Sequence, residues 1–424
     1  MKILVIGAGG REHALCRAFS KSSRVSRVFC ADGNAGIAEI AACVAIKPDE
    51  IEKLADFAVE NEIDLTFVGG ETALALGITD EFEKRNLKIV GASRQAAQLE
   101  ASKAFAKDFM RRHLIPTAAY EVAESPLQAI EILEAGKFGG AEAPVVVKAD
   151  GLAAGKGVVV AANRAKAVAA INELENLAGR EAANRIVLEE CLTGREVSLI
   201  LFADGKNFAL MPPARDHKRI GEGDTGANTG GMGVVTDSSL LTEEQTREIV
   251  EKIIEPTLRG CREEGFEFRG ILFLGLMMTP EAGAKVLEYN VRFGDPETQA
   301  ILLRLESDLV EICEAILAQK LNEDEINWRP GSSACVVLAS QGYPAKARIG
   351  DSIRGISEAN ETEKVVVFHA GTARNESGEF ATAGGRVLGV TATGADLDEA
   401  LRRAYEAVGK ISWDGMQFRR DIGK

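Results

Sequence analysis

Residues 286–299 read VLEYNVRFGDPETQ, and no other stretch offers residue types and spacing better suited to chemistry. In an extended strand, successive side chains point to opposite faces. That alternation predicts Val286, Glu288, Asn290 and Arg292 on one side and Leu287, Tyr289, Val291 and Phe293 on the other. The second row is apolar and can enter a core. The first lines up a carboxylate, an amide oxygen and a guanidinium, then runs into Gly294, Asp295, Pro296 and Glu297. Hard cations such as Mg²⁺ take oxygen ligands, often one or two from protein with nucleotide phosphates supplying more. A guanidinium beside them suits phosphate or carboxylate. An exposed polar face on an antiparallel strand would look similar in isolation, so the rest of the chain has to decide.

Other segments offer matching chemistry. Residues 145–157, VVVKADGLAAGKG, superficially resemble a P-loop, but the spacing is one residue short and no Ser or Thr follows the lysine. The segment also joins strand to strand, whereas a P-loop opens a helix. A glycine lid closing over phosphates is the physical alternative, with Gly151, Gly155 and Gly157 in the loop and Lys148 aimed from an otherwise apolar strand. Glu189, Glu190, Cys191 and Leu192 form a short hinge whose backbone can bond an adenine edge, and Glu196 follows where an acid could hold ribose hydroxyls. Residues 215–219, RDHKR, lead into 223–233, GDTGANTGGMG, a long and mostly structureless glycine-rich segment. Loops of that length inside a domain are functional or disordered, and this one reads as an anion and amino-acid site. The four histidines (13, 113, 217, 369) form no triad or metal spacing, so His217 need not be catalytic.

At the N-terminus, Gly9 and Gly10 follow a strand and open a helix, so their backbone N–H groups could receive a phosphate, with Arg11 adding charge. As a dinucleotide fingerprint the turn is incomplete, because the third glycine position is Glu12.

These groups need a scaffold. Strands are predicted over 2–6, 25–30, 64–68 and 88–90, with helices over 11–19, 49–61 and 73–85. That alternation implies a parallel sheet covered on both faces. A helix follows over 102–113, then strands over 144–149 and 158–161 and a helix over 165–177. Strands over 185–190, 196–202 and 207–210 follow, and then a long helix over 241–264. Two more strands, 271–278 and 285–293, precede a helix over 302–317. The polar stretch 322–333 with its Pro-Gly is the best late boundary. Beyond it lie strands over 334–339, 364–370 and 386–393 and a helix over 397–410.

Composition sets the class. At 424 residues, 46% hydrophobic and 27% charged, the chain is globular with two to four domains. A net charge of −14 argues against a broad nucleic-acid or anionic-membrane surface. Seven scattered cysteines without a C-x-x-C pair point to reduced structural thiols in a cytoplasmic setting. The opening MKILVIGAGG reads as a first strand and not a signal peptide, and no apolar run is long enough for a membrane span.

Taken together, these segments resemble the ATP-grasp superfamily and, within it, the glycinamide ribonucleotide synthetase family of phosphoribosylamine–glycine ligases. The resemblance runs through GAGGREHAL, QLEASKAFAKDFM, VVVKADGLAAGKGVVV, LEECLTGREVS, DHKRIGEGDTGANTGGMG, LEYNVRFGDPETQ, GGRVLGVTA and MQFRRDIG, and so spans nearly the whole chain. It implies a multidomain α/β and α+β protein with an ATP-grasp fold. A doubly wound parallel-sheet domain would occupy 1–101. The ATP-grasp domain would span 102–325 with a lid subdomain near 124–187, and a mixed α/β domain 326–424. The implied reaction joins glycine to 5-phosphoribosylamine at the expense of ATP, through glycyl phosphate, with Mg²⁺ or Mn²⁺, in a monomer or weak homodimer. By the same resemblance, Lys103, Lys148 and the loop of Gly151, Gly155 and Gly157 meet nucleotide phosphates. Glu189, Glu190 and Leu192 line adenine, and Glu196 holds ribose. Glu288 and Asn290 bind the metal. Asp216, Lys218, Arg292 and the Gly294, Asp295, Pro296, Glu297 turn take the substrates with Gly9, Gly10 and Arg11, and Arg292, Asp216 and Lys148 are the catalytic candidates. The rival classes are an NAD-dependent oxidoreductase built on the N-terminal turn, another ATP-grasp ligase or carboxylase, and an ATP-binding regulator without turnover.

Overall fold

The computed structural model describes residues 1–152 and 157–424, with the side chains of 177, 178, 180 and 181 set aside. The first strand, Lys2–Gly7, is apolar on both faces because both faces are covered. Ile3 and Val5 pack with Leu15 and Phe19 of the helix Gly10–Ser20, while Leu4 and Ile6 pack with Leu54 and Leu74 on the other side. Five parallel strands follow the order Ala42–Val44, Arg27–Asp32, Lys2–Gly7, Leu65–Val68, Ile89–Val90. This is the predicted doubly wound sheet.

Two larger antiparallel sheets and two two-stranded ribbons, Arg219–Gly221/Thr225–Asn228 and Thr372–Arg374/Phe380–Thr382, make up the rest. A four-stranded one has the order Tyr120–Ala123, Ile186–Glu190, Val145–Ala149, Val158–Ala161, with the helices Pro126–Glu134 and Arg164–Ala178 packed on it. The larger sheet runs Gly283–Asn290, Arg269–Thr279, Arg195–Asp204, Ala214–Asp216, Gly233–Thr236, Ser332–Ala339, Arg386–Gly394, Val365–His369. The polar stretch 322–333 divides the chain in sequence but not this sheet, since Gly233–Thr236 pairs directly with Ser332–Ala339.

Several elements differ from expectation for visible reasons. The helix predicted over 73–85 is two, Glu71–Leu76 and Ile78–Lys84, broken at Gly77 in the left-handed region (φ +91°). The helix predicted over 302–317 is also two, Glu297–Arg304 and Leu309–Leu317, the second capped by Asp308, which accepts the Val310 N–H. The long helix begins at Glu243 behind a Thr242/Gln245 capping box and carries a π-helical turn over Val250–Ile254. The segment 215–233 is not structureless. It holds the strands Ala214–Asp216, Arg219–Gly221 and Thr225–Asn228 and runs into Gly233–Thr236. No helix among the described residues is long and apolar enough to cross a membrane.

Candidate active site

The strand Gly283–Asn290 does not keep strict period two. Gly275 pairs with Glu288 but Leu276 pairs with Val286, so Leu287 is the extra residue of a β-bulge. The bulge turns Val286 into the core beside Tyr289 and Val291 and leaves Leu287, Glu288, Asn290 and Arg292 on a cavity. The polar row of the prediction survives; the placement of Val286 and Leu287 is reversed. Tyr289 keeps its buried hydroxyl satisfied through Thr257 at 2.7 Å.

Two adjoining cavities meet at this strand. One, of about 360 Å³, is lined by Lys103, Lys148, Asp216, Glu288, Asn290 and Arg292. The other, of about 520 Å³, is lined by Glu190, Leu192, Glu196, Met277 and Val160. Lys148, Glu189, Asp216, Lys218 and Glu288 border both.

Lys148 is buried on Val145–Ala149 and donates to the Leu287 carbonyl at 3.1 Å. Its ammonium lies 2.7 Å from Glu189, whose carboxylate also meets Lys107 at 2.8 Å. Glu189 is thus a buried counter-ion between two lysines. Burial lowers Lys107 to about 8, and lowers Lys103 as well. Lys103 opens the helix Lys103–Arg112, capped by Ser102, and donates to the Gly151 carbonyl at 2.9 Å. Glu190 accepts the Ala119 N–H and pairs with Lys285, and Glu196 lies on the rim, 3.2 Å from Lys218. Gly157 and Leu192 border the cavities, whereas Gly155 lies outside the described residues.

Arg292 is held between Glu100 at 2.7 Å and Glu71 at 3.2 Å, and donates to the Asn290 amide oxygen at 3.1 Å. Burial opposes its charge, but the two carboxylates more than compensate and raise its pKa. Burial raises Glu100 despite that arginine. Lys218 is raised well above its ordinary value, chiefly by Asp216. Burial raises Asp216, and burial with the neighbouring Asp216 carries Glu297 to about 7. Enclosure pushes Glu288 up, but Lys218, Lys148 and Lys103 outweigh it and leave it below the usual range. Glu288 and Asn290 offer two oxygen donors. Among the described residues no group of three or more His, Cys, Asp or Glu side chains could cage a metal. Such a donor pair fits a divalent ion that draws its remaining ligands from phosphates and water.

The turn at Gly9 and Gly10 is already occupied by the protein itself. Glu12, 1% exposed, accepts the Gly9 N–H at 2.6 Å and the Arg11 Nε at 2.6 Å. A Cβ at Gly7, Gly9 or Gly69 would collide with it. A dinucleotide pyrophosphate has no vacant seat there, which removes the physical basis of the oxidoreductase reading. Arg11 instead reaches across to the Phe293 carbonyl at 3.0 Å and borders the first cavity. Asp295 pairs with Arg386 at 3.5 Å, and Pro296 leads into the helix that carries Glu297. His217 is structural, accepting the Gly423 N–H at 2.9 Å.

Lys107, Glu71, Glu100 and Arg386 were missed in the sequence. A signal existed for one of them: Lys103 and Lys107 are four apart on one helix and so share a face.

A lysine pair beside an oxygen-donor strand, with a glycine-rich connection joining the paired antiparallel strands Val145–Ala149 and Val158–Ala161, defines the ATP-grasp class. At the level of fold the likeness extends to a biotin carboxylase from Campylobacter jejuni, with a TM-score of 0.72 at 15% identity over 98% of this chain and 92% of that one. The models for the phosphoribosylglycinamide synthetase N domain, ATP-grasp (A) domain and C domain match residues 1–100, 101–298 and 333–424. The chain therefore belongs to the phosphoribosylglycinamide synthetase family. A phosphoribosylamine–glycine ligase from Pseudomonas aeruginosa is 47% identical over 100% of this chain and 97% of its own length. The crystal structure of the phosphoribosylamine–glycine ligase from Thermotoga maritima superposes with a TM-score of 0.85 at 33% identity, covering all of both chains.

Proposed function

We propose that this chain is an ATP-dependent carboxylate–amine ligase of de novo purine biosynthesis, joining glycine to 5-phosphoribosylamine to give glycinamide ribonucleotide, ADP and phosphate. The observation that carries the reading is the cavity where Lys103 and Lys148 face Glu288, Asn290 and Arg292. Phosphoryl transfer needs positioned positive charge more than a protein nucleophile, and this cavity supplies that, with no cysteine or histidine among the described residues that line it. The glycine carboxylate attacks the γ-phosphorus and ADP leaves; the amine then attacks the acyl carbon and phosphate leaves. Mg²⁺ or Mn²⁺, held by Glu288 and Asn290 with the phosphates, would neutralise charge on the triphosphate.

The remaining roles follow the polarity of the two cavities. Lys103 and Lys148 meet phosphates, Glu189 keeps Lys148 in place, and Leu192 and the hinge backbone take the base with Glu196 near the ribose. Asp216 and Lys218 bracket glycine. Arg292, Arg11 and the turn from Gly294 to Glu297 take the sugar phosphate. This division of labour rests on an N-terminal unit 1–101, a central unit 102–325 with a lid near 124–187, and a C-terminal unit 326–424, acting in the cytoplasm. Measuring ADP release with glycine and 5-phosphoribosylamine, each omitted in turn, tests the reading. Release requiring both substrates supports it; release indifferent to glycine, or replaced by turnover of another acid, ends it.

A further inference from the structure

The hairpin Arg219–Gly221/Thr225–Asn228 stands over the junction of the two cavities, with Arg219, Asp224 and Asn228 on the second and Asn228 also on the first. Residues 222–227 are exposed, so the hairpin has no core of its own. A two-stranded ribbon is marginal in water without something to pack on. Its support comes from the far end of the chain. Arg419, 1% exposed, donates to the Arg219 carbonyl at 3.1 Å and to Asp224 at 2.6 Å. The same guanidinium grips Asp421 through Nε at 2.7 Å and Nη2 at 2.8 Å, and Asp421 accepts the Gly223 N–H at 2.8 Å. The Arg420 N–H donates to Glu222 at 3.2 Å. Pairing with Arg419 holds the Asp421 carboxyl at about 2. A buried, planar, fully paired guanidinium fixes geometry in a way a mobile lysine would not.

We propose that Arg419 and Asp421 are positioning residues that clamp the 219–228 hairpin as a wall of the reaction chamber, so that the acyl phosphate meets the amine before it meets water. The inference deepens the ligase reading above and rests on it. An unclamped hairpin admits water, whose oxygen attacks the acyl phosphate to regenerate glycine and release phosphate; ATP is then consumed without product.

Two variants approach the clamp from opposite ends. Arg419→Met removes it from the buried side. Asp224→Ala cuts it at an exposed residue and keeps the test alive should Arg419→Met fail to fold. Hydrogen exchange of the 219–228 amides in the full-length, ligand-free protein reads the clamp directly, and exchange about tenfold faster in the variants is expected for a segment losing its tertiary support. ADP released per glycinamide ribonucleotide formed reads the consequence. It should be near one in the unaltered protein and rise about threefold in the variants as the chamber opens to solvent, with Arg419→Lys intermediate. Unchanged exchange overturns the clamp. Faster exchange with a ratio still near one, both rates falling together, reduces Arg419 to a structural role and overturns the proposal. If the unaltered protein shows no ADP release dependent on both substrates, the ligase reading fails instead, and exchange alone still judges the clamp.

Discussion

The turn at the end of the first strand and the cleft beside the strand Gly283–Asn290 make an instructive pair. The first has the outward form of a nucleotide site: a parallel sheet, a glycine turn and a helix N-terminus. Its anion seat is filled by Glu12, which belongs to the chain. In the second, Lys103, Lys148 and Lys107 converge from a helix and an antiparallel strand, against Glu288 and Glu189. The sheet type therefore says little about where the chemistry is. What distinguishes the regions is whether the paired charges border a cavity, as Lys148, Glu189 and Arg292 do, or are sealed from one, as Glu12 is.

Removing charge from the open cleft should have the largest effect. Glu288→Ala should cut turnover by about 10²–10³, as expected for loss of one electrostatic contact at the reacting centre, with a thermal melt close to that of the parent. Full activity in that variant would break the comparison at its active end. The filled turn should respond oppositely. Glu12→Ala removes the acceptor of the part-buried Gly9 N–H and of the Arg11 Nε and should cost about 1 kcal/mol of stability, read from urea unfolding. A stability-neutral Glu12→Ala would mean the seat was never sealed.

Lys107→Met sharpens the contrast within the cleft. It leaves Glu189 paired with Lys148 alone, so the KM for ATP should rise about tenfold while kcat changes less, the pattern of lost ground-state binding. An unchanged KM would show that Lys107 serves only the fold.

The smallest effect is a pH dependence carried by the buried histidines. Burial lowers His13 to about 3 and both His217 and His369 to about 4, against 6.5 when unfolded. The unfolded chain then binds more protons between these values. The contribution is complete above pH 6.5 and lost as pH falls toward 4, by up to about 1.4 kcal/mol per pH unit for each histidine. Urea midpoints of His217→Gln and the parent should converge as pH drops through this window; parallel curves would refute the assignment.

How much was legible follows from how each signal is encoded. The N-terminal strands were, because buried parallel strands are continuous apolar runs, as in residues 2–6 and 65–68. The polar row of Glu288, Asn290 and Arg292 was as well, since period two depends only on neighbours in sequence. The reversed placement of Val286 and Leu287 was not, because the bulge exists only in the pairing with Gly275 and Leu276. The segment 215–233 looked structureless since its strands are short and the partners that hold them are distant in sequence: the large sheet for Ala214–Asp216 and Gly233–Thr236, and Arg419 and Asp421, some 200 residues away, for the hairpin between them.

The sequence by itself determined the inventory: apolar runs that had to become strands, lysines and carboxylates in numbers and local spacings suited to a triphosphate, and glycines where the backbone turns. Only the tertiary structure decided which charges cancel. Coulomb energy depends on distance and on exclusion of water, and neither Glu12 against the Gly9 amide nor Glu189 between Lys107 and Lys148 acquires those until the chain has closed on itself.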